Sequence, residues 1–213
     1  NLRIVDTGYG LERFVWASQG SPTIYDAVFP EMVSHVMQEA GFGHRLHDPD
    51  FIHILGENAK FAGLMDISGQ RIFELRQKVA DKIGIPTDRL EKMIAPVESV
   101  YAIVDHTRCL SYMLGDCIVP SNTKDGYLAR LVLRRTLRMM RELSLPDDKL
   151  GDLIERQMKI IGISKFEQDP DVVMEIVDRE VDKYRATMDR GARTVERLAQ
   201  TYKKKCEKIP LEE

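Results

Sequence analysis

The last third of the chain repeats apolar side chains at intervals of three or four residues, the period of one face of an α-helix. The repeat comprises Val173, Val177, Val181, Tyr184, Met188, Ala192, Val195, Leu198 and Tyr202. Asp169 stands where a helix N-cap is expected, and Lys203, Lys204 and Lys205 complement a helix C-terminus. The pattern predicts one long amphipathic helix. Its irregular flanking charges favour a strut packed on a helical bundle over a coiled-coil dimer.

Shorter stretches with the same period, separated by proline and glycine, predict that the rest of the chain is also mostly helical. The pair Ser21 and Pro22 is typical of a helix start, and Gly41 of a helix end. Pro96 is expected to open a further helix. Residues 42–66 contain several glycines and a proline that interrupt any period, so no element is assigned there.

Composition indicates a soluble chain that is large enough to bury a core. The sequence has 213 residues, of which 43% are hydrophobic and 31% charged. No apolar run approaches the roughly 20 residues that a membrane span needs, and no targeting segment is visible. We therefore expect a cytoplasmic protein with no membrane partner.

The metal-binding residue types do not form a recognisable ligand set. Cys109, Cys117 and Cys206 provide no C-x-x-C unit, which favours free thiols. His44 and His47 lie in a stretch without a helical H-x-x-x-H pair. We expect no metal site made by this chain.

The first residues combine a short apolar strand with two glycines and an arginine. Gly8 and Gly10 permit a ligand to approach the backbone closely, and Arg13 follows in the first turn of a predicted helix. The dinucleotide fingerprint G-x-G-x-x-G fails at Arg13, where a third small residue should stand. The planar cation of Arg13 suits a phosphate or a flat ring. A nucleotide site and a plain structural turn both fit the bare motif.

A second candidate is a basic helix between Lys124 and Glu142, which contains six basic residues and two acidic ones. Arg130, Arg134 and Arg138 recur every four residues and Arg141 follows, so they share one face. Such a face can follow a phosphate backbone. A solvated amphipathic helix is the alternative.

The loop before this helix reads Val-Pro-Ser-Asn-Thr-Lys-Asp-Gly from residue 119 to residue 126. Its proline and glycine restrict the backbone, and Asn122 carries both a donor and an acceptor for base edges. A loop amide beside a cationic helix suggests that the amide contacts bases while the helix binds phosphates. A helix N-cap or turn role for Asn122 is the alternative.

Two segments carry a resemblance to a known family. Residues 5–13, Val-Asp-Thr-Gly-Tyr-Gly-Leu-Glu-Arg, resemble motif 3 of class II aminoacyl-tRNA synthetases as it reads in archaeal-like alanyl-tRNA synthetases. Residues 105–135 are similar to the segment of that family that meets the tRNA acceptor stem. The resemblance implies a mostly α fold of helical bundle subdomains, preceded by one strand and helix that belong to an antiparallel catalytic sheet.

The resemblance also implies an activation site. It assigns Arg13 to the adenine ring and terminal phosphate of ATP, with Gly8 and Gly10 shaping the ATP site. Asp6 would help hold the amino group of alanine in an amino-acid site that also includes Gly8, which makes Asp6 and Arg13 the catalytic candidates. The family reaction is in-line attack of the alanine carboxylate on the α-phosphate, with Mg²⁺ as the implied ion and no side-chain nucleophile.

For RNA, the resemblance assigns Asn122 to the G·U pair in the acceptor stem of tRNA(Ala). The surrounding tRNA-binding candidates are Ser121, Lys124, Arg130, Arg134, Arg135 and Arg138. The family's second reader is the aspartate of a Leu-Tyr-Asp sequence, which is absent here and is expected beyond Glu213. Its zinc ligands are likewise expected beyond this chain, and DNA is not an expected partner.

The expected organisation has three parts. Residues 1–20 would be the end of the catalytic domain, residues 21–144 a helical domain for acceptor-stem recognition, and residues 145–213 a second helical subdomain with the long helix. We expect an alanine–tRNA ligase as the parent enzyme and no activity from these residues alone. A non-catalytic acceptor-stem binding module is the alternative. A helical interaction domain is disfavoured because it has no need for the segment from Asp6 to Arg13.

Overall fold

The computed structural model describes residues 10–62 and 69–205, and every regular element within those ranges is helical. In chain order the α-helices are Leu11–Gln19 (α1), Ile24–Val28 (α2), Pro30–Glu39 (α3), Pro49–Ala62 (α4), Gly69–Ile83 (α5), Thr87–Gly115 (α6), Lys124–Glu142 (α7), Lys149–Ile161 (α8) and Pro170–Lys205 (α9). Short 3-10 helices span Gly43–His47 and Ile163–Lys165. The mostly helical prediction is confirmed, whereas the predicted opening strand lies outside the described residues.

The chain divides into two compact units that alternate along the sequence. Unit 1 comprises residues 1–108 and 138–146, and unit 2 comprises residues 109–137 and 147–213. Helices α6 and α7 therefore each contribute residues to both units. The predicted three-part division, with boundaries after residues 20 and 144, stays a prediction.

In unit 1 the core is formed by the apolar faces of α3, α4, α5 and α6. Its fully buried side chains include Met32, Val36, Met37, Phe51, Val79, Leu90, Ile94, Val97 and Val100. A polar contact joins α2 to α6, since the Tyr101 hydroxyl lies 3.0 and 3.1 Å from the two carboxylate oxygens of Asp26. Burial, together with the negative charge of Asp26, raises the pKa of Tyr101, so this hydroxyl stays a hydrogen-bond donor.

In unit 2 the core is formed by one face each of α7, α8 and α9 together with the end of α6. The buried side chains include Leu110, Leu114, Ala129, Leu133, Leu137, Leu150, Ile154, Met158, Val173, Val177 and Val181. Gly115 ends α6 against the ring of Phe166, where a Cβ atom would collide with that ring. This core fixes the relation of α7 to α9, on which the candidate RNA site depends.

The helix predicted from Ser21 to Gly41 is wrong as a single element, because the structure has two helices there. Thr23 caps α2, accepting a hydrogen bond from the Asp26 backbone N–H at 3.3 Å. Phe29 leaves the helical conformation, with φ of −128°, and Pro30 occupies the first turn of α3. Proline disfavours a helical residue before it, which explains the break.

The sequence predicted that Pro96 opens a helix, and this prediction is wrong, because Pro96 lies inside α6. A proline in a helix interior removes one backbone hydrogen bond. The flanking Ile94 and Val97 are 1% and 2% exposed, so burial of neighbouring side chains offsets that loss. The stretch 42–66 likewise contains a regular element, α4, because Pro49 stands at its start and Phe51 and Leu55 are buried.

The long C-terminal helix is confirmed by α9, which begins after Asp169 and runs to Lys205. The Asp169 side chain accepts the backbone N–H of Asp171 at 2.9 Å, as expected of an N-cap. Its apolar face is buried only as far as Tyr184, since Met188 is 46% and Val195 63% exposed. Only the first half of α9 is therefore packed in unit 2. None of the described helices is both long and apolar enough to cross a membrane.

Candidate functional sites

The segment between α6 and α7 forms a sharp turn that we call the Pro-Ser-Asn corner, residues 120–122. The Ser121 backbone N–H donates to the carbonyl of Gly126 at 2.9 Å. The Ser121 hydroxyl accepts the Thr123 N–H at 3.3 Å and lies 3.0 Å from the Thr123 carbonyl oxygen. Pro120 is buried and Asn122 is exposed. Hydrogen bonds of Ser121 and burial of Pro120 therefore fix the corner, while Asn122 is exposed to solvent.

Gly126, in the first turn of α7, has the corner folded directly against it. A Cβ atom built there would collide with the Ser121 hydroxyl and the Val119 carbonyl oxygen. Lys124 has a positive φ of 49°, which only a few non-glycine residues adopt. The shape of the corner therefore requires a residue without a side chain at Gly126 and a positive φ at Lys124.

Arg130, one of the predicted tRNA-binding residues, braces the corner. Its Nη2 donates to the Pro120 carbonyl at 3.2 Å, and its Nη1 donates to the Asn122 side-chain oxygen. Its side chain is only 17% exposed. Arg130 therefore contacts the predicted base reader directly and presents little of its own surface to a ligand.

On its other edge, Arg130 binds the carboxylate of Glu180 on α9. The Nε–Oε2 distance is 3.0 Å and the Nη2–Oε1 distance is 2.9 Å, a bidentate pair. Lys183 Nζ also lies 2.7 Å from Oε1. Burial raises the pKa of Glu180, but hydrogen bonds and positive charge from Arg130 and Lys183 outweigh it, so the pKa lies below the usual value. Glu180 is thus held as a carboxylate.

The remaining predicted cations of α7 differ in their surroundings. Arg134 is partly buried, and its Nε has no hydrogen-bond partner among the residues that the structure describes. Arg135 is exposed and forms no ion pair within the described ranges. Arg138 lies 3.8 Å from Glu142 and is 66% exposed. Lys124 is exposed at the start of the helix. Unlike Arg130, these side chains reach solvent without a buried carboxylate partner.

The predicted nucleotide segment is described only from Gly10 onward; Asp6 and Gly8 lie outside the described residues. Gly10 has φ of 67° and caps α1 in the left-handed conformation, which suits glycine. Its carbonyl accepts the Arg13 N–H at 3.1 Å, and the Arg13 side chain is exposed. No residue of α1 is buried, and Leu11 and Phe14 are 73% and 61% exposed. This helix presents an uncovered apolar surface beside its arginine.

No group of three or more potential metal ligands lies together within residues 10–62 and 69–205. We therefore route no chemical step through a metal held by these residues. Cys109 and Cys117 are exposed, and Cys206 lies outside the described residues.

Sequence reasoning missed Glu180 as a candidate site residue. A signal for it was present, since Glu180 falls three residues after Val177 and four before Tyr184, on the apolar face of the repeat. A carboxylate at a buried position is rare unless it is paired. The sequence could have flagged the residue, but only the fold identifies Arg130 as its partner.

The family model described as tRNA synthetases class II (A) matches residues 1–213. The chain therefore belongs to the class II tRNA synthetase (A) family.

Within the family, the chain is similar to proteins named alanine–tRNA ligase from methanogenic archaea. It is 95% identical to that of Methanospirillum hungatei over 212 residues, 66% identical to that of Methanoregula boonei and 61% identical to that of Methanoculleus marisnigri. Each match covers 100% of this chain and 23% of the relative. The chain thus spans about a quarter of the length of these relatives.

Proposed function

We propose that this chain is a section of an alanine–tRNA ligase that contributes to two sites: an ATP and alanine site near Arg13, and a reader of the tRNA(Ala) acceptor stem at Asn122. The whole enzyme would activate alanine with ATP and transfer it to tRNA(Ala). The names of the relatives support the reaction, and the two segments at Arg13 and Asn122 support the division of labour.

The RNA assignment depends on the hydrogen bonding and the exposure of the Asn122 side chain. Its side-chain oxygen accepts from Arg130, and the residue is exposed. Arginine has only donors, so the atom that faces it must be the amide oxygen, which leaves the amide N–H₂ free to donate outward. The minor groove of an A-form stem is wide and shallow and exposes purine N3 and pyrimidine O2 acceptors. Asn122 suits such acceptors, which a G·C pair also carries. We assign it to the G·U pair because of the resemblance of residues 105–135 to the acceptor-stem segment of the family.

The neighbouring cations would supply affinity and register. Lys124 and Arg135 are exposed, and Arg134 is partly so. Arginine and lysine contacts to phosphates fix the register of a protein on a helix but carry no sequence information. We therefore assign Ser121 and these three cations to the backbone of the stem beside Asn122, and Arg138 to a more peripheral backbone contact.

The activation site would be built around α1. In our proposal Arg13 contacts the adenine ring and the terminal phosphate of ATP, Gly8 and Gly10 admit the nucleotide, and Asp6 pairs with the alanine ammonium. An alanine carboxylate oxygen then attacks the α-phosphorus in line, and pyrophosphate leaves. The exposed Leu11 and Phe14 support this placement, since a catalytic sheet continuing from the predicted opening strand would cover them. Mg²⁺ would accompany the ATP phosphates.

The test is the variant Asn122→Ala in the full-length enzyme. Aminoacylation of a tRNA with the G·U pair should fall about tenfold or more, the loss expected for one base-edge contact. ATP–pyrophosphate exchange with alanine, which needs no tRNA, should stay within about twofold of the unmodified enzyme. An equal loss in both assays would refute the assignment of Asn122 to RNA.

A further inference from the structure

Glu180 is a buried carboxylate on an otherwise apolar helix face. Its side chain is 2% exposed, and Val177, Val181 and Tyr184 around it on α9 are all buried. Removing a carboxylate from water is costly unless it is paired and hydrogen-bonded. The Glu180 carboxylate therefore depends on its ion pair with Arg130.

The contacts of Arg130 connect Glu180 to the Pro-Ser-Asn corner. One edge of the guanidinium makes the bidentate pair with Glu180, at 3.0 and 2.9 Å. The same group donates to the Pro120 carbonyl and to the Asn122 oxygen. Because a guanidinium is rigid and planar, fixing one edge fixes the direction of the donors on the other. The orientation of Asn122 is thus set from α9.

We propose that Glu180 is a positioning residue for acceptor-stem recognition. Through Arg130 it holds the Asn122 oxygen inward, so that the Asn122 amide hydrogens face the RNA. Without the carboxylate, the guanidinium loses its two fixed contacts, and Asn122 can rotate to offer either its oxygen or its nitrogen to a base. The loss falls on discrimination between base pairs more than on affinity for the stem. This inference rests on the proposed reading role of Asn122.

A lysine at position 130 could not orient Asn122 in this way. It would keep the positive charge beside Glu180, but a single ammonium cannot hold the carboxylate in a fork and reach both Pro120 and Asn122 in fixed directions. The proposal therefore depends on the geometry of the arginine side chain as well as on its charge.

The experiment compares Glu180→Gln with Glu175→Gln in the full-length enzyme. Glu175 lies on the same helix but is exposed, and it pairs with Arg179 one turn away. We measure kcat/KM for aminoacylation of tRNAs whose acceptor stems carry G·U or G·C at the recognised pair. Glu180→Gln should reduce the preference for G·U about tenfold, while ATP–pyrophosphate exchange stays unchanged. Glu175→Gln should leave both quantities unchanged.

A double variant separates positioning from general support of the fold. If Glu180 acts through Asn122, then Glu180→Gln should cause no further loss of preference in an enzyme that already carries Asn122→Ala. Additive losses would overturn the proposal. Arg130→Lys provides a second route should Glu180→Gln lower the yield of folded enzyme, and it should reproduce the loss of preference. Unchanged preference in Arg130→Lys would also overturn the proposal.

The outcomes distinguish the two levels of inference. If Asn122→Ala leaves the preference for G·U intact, the proposed function itself is wrong. If Asn122→Ala abolishes the preference but Glu180→Gln and Arg130→Lys do not, Asn122 reads the stem without the brace, and only the role of Glu180 fails.

Discussion

The two candidate sites are built in opposite ways. At the Pro-Ser-Asn corner, Arg130 of α7 contacts Asn122 and is itself held by Glu180 of α9, so these orienting contacts all lie within the described residues. Around Arg13, helix α1 has no buried residue and exposes Leu11 and Phe14. The corner carries its own support within this chain, whereas we expect the nucleotide segment to obtain its support from additional protein.

The same difference appears in the local energetics. A helix of nine residues is marginal in water by itself, so α1 needs contacts outside itself. Its C-terminal end is fixed by Gly20 and by the Trp16 indole, which donates to the Ser21 carbonyl at 2.7 Å. Helix α7 instead buries Ala129, Leu133 and Leu137. We expect changes near Arg13 to affect catalysis without much loss of stability.

The largest expected effect is that of Arg13→Ala on activation. Loss of a positioned cation at the phosphates should lower ATP–pyrophosphate exchange about a hundredfold or more, and aminoacylation should fall with it. Thermal unfolding should barely change, because the side chain is exposed. Arg193→Ala, a removal of another exposed arginine on the outer half of α9, is the matched control. Activation that survives without Arg13 would remove the nucleotide assignment.

A second prediction concerns Gly126→Ala, which changes the shape of the corner without removing any of its polar groups. The new methyl group must displace the Ser121 hydroxyl or the Val119 carbonyl, so we expect a destabilisation of about 1–3 kcal/mol. Aminoacylation should fall while activation persists. Differential scanning calorimetry and the two assays measure these effects.

Gly10→Ala is the counterpart of that substitution in the other region. There a Cβ has room among the described residues, where its nearest neighbours are 3.9 Å away, but φ is 67°. The strain is about 1–2 kcal/mol and should appear as reduced activation. If the two alanine variants affect the same step, the contrast between the sites is wrong.

A smaller effect is expected for Arg135→Ala, since Arg135 is exposed and would meet only phosphate. Binding should weaken similarly for stems with G·U and with G·C. The slope of log Kd against log salt concentration should fall by about 1. Titrations at several salt concentrations measure that slope. A selective loss for one stem would assign Arg135 to base reading instead.

The smallest effect is a pH dependence of unit 1 that should leave both sites untouched. Hydrogen bonds from Lys60 and Lys82 lower the pKa of Glu57 to about 2. A carboxylate with a lowered folded-state pKa stabilises the fold above its unfolded value, and that stabilisation is lost as the pH falls towards the folded value. The stability difference between the unmodified protein and Glu57→Gln should therefore be full at pH 7 and shrink between about pH 4.5 and pH 2.

Urea unfolding across that range measures the difference. Glu74→Gln removes a carboxylate that forms no ion pair within the described ranges, so it is the control and should show no such trend. A constant difference for Glu57→Gln at every pH would contradict the ion-pair account.

The sequence predicted those parts of the fold that depend on local pattern. The period starting at Val173 predicts α9 and its cap at Asp169, because both arise within one helix. Prediction from the sequence failed at Pro96 and in residues 42–66. There, burial against side chains from distant parts of unit 1 stabilises helices in spite of their prolines and glycines. Tertiary burial of this kind leaves no local signature.

The candidate sites show the same limit. The motifs drew attention to Arg13 and Asn122, and the charge pattern to the arginines of α7. The pattern could not separate Arg130 from Arg134, since both lie on one helical face. A carboxylate 50 residues further along the chain makes the difference, because it binds Arg130. The phosphate contact predicted for Arg130 stays a prediction.

The most direct test of the account is a double-mutant cycle between protein and RNA. The cycle combines Asn122→Ala with replacement of G·U by G·C in the acceptor stem, using kcat/KM for aminoacylation by the full-length enzyme. A direct contact predicts a coupling free energy of about 1–3 kcal/mol between the two changes. Additive effects, with a coupling near zero, would contradict the claim that Asn122 reads this base pair.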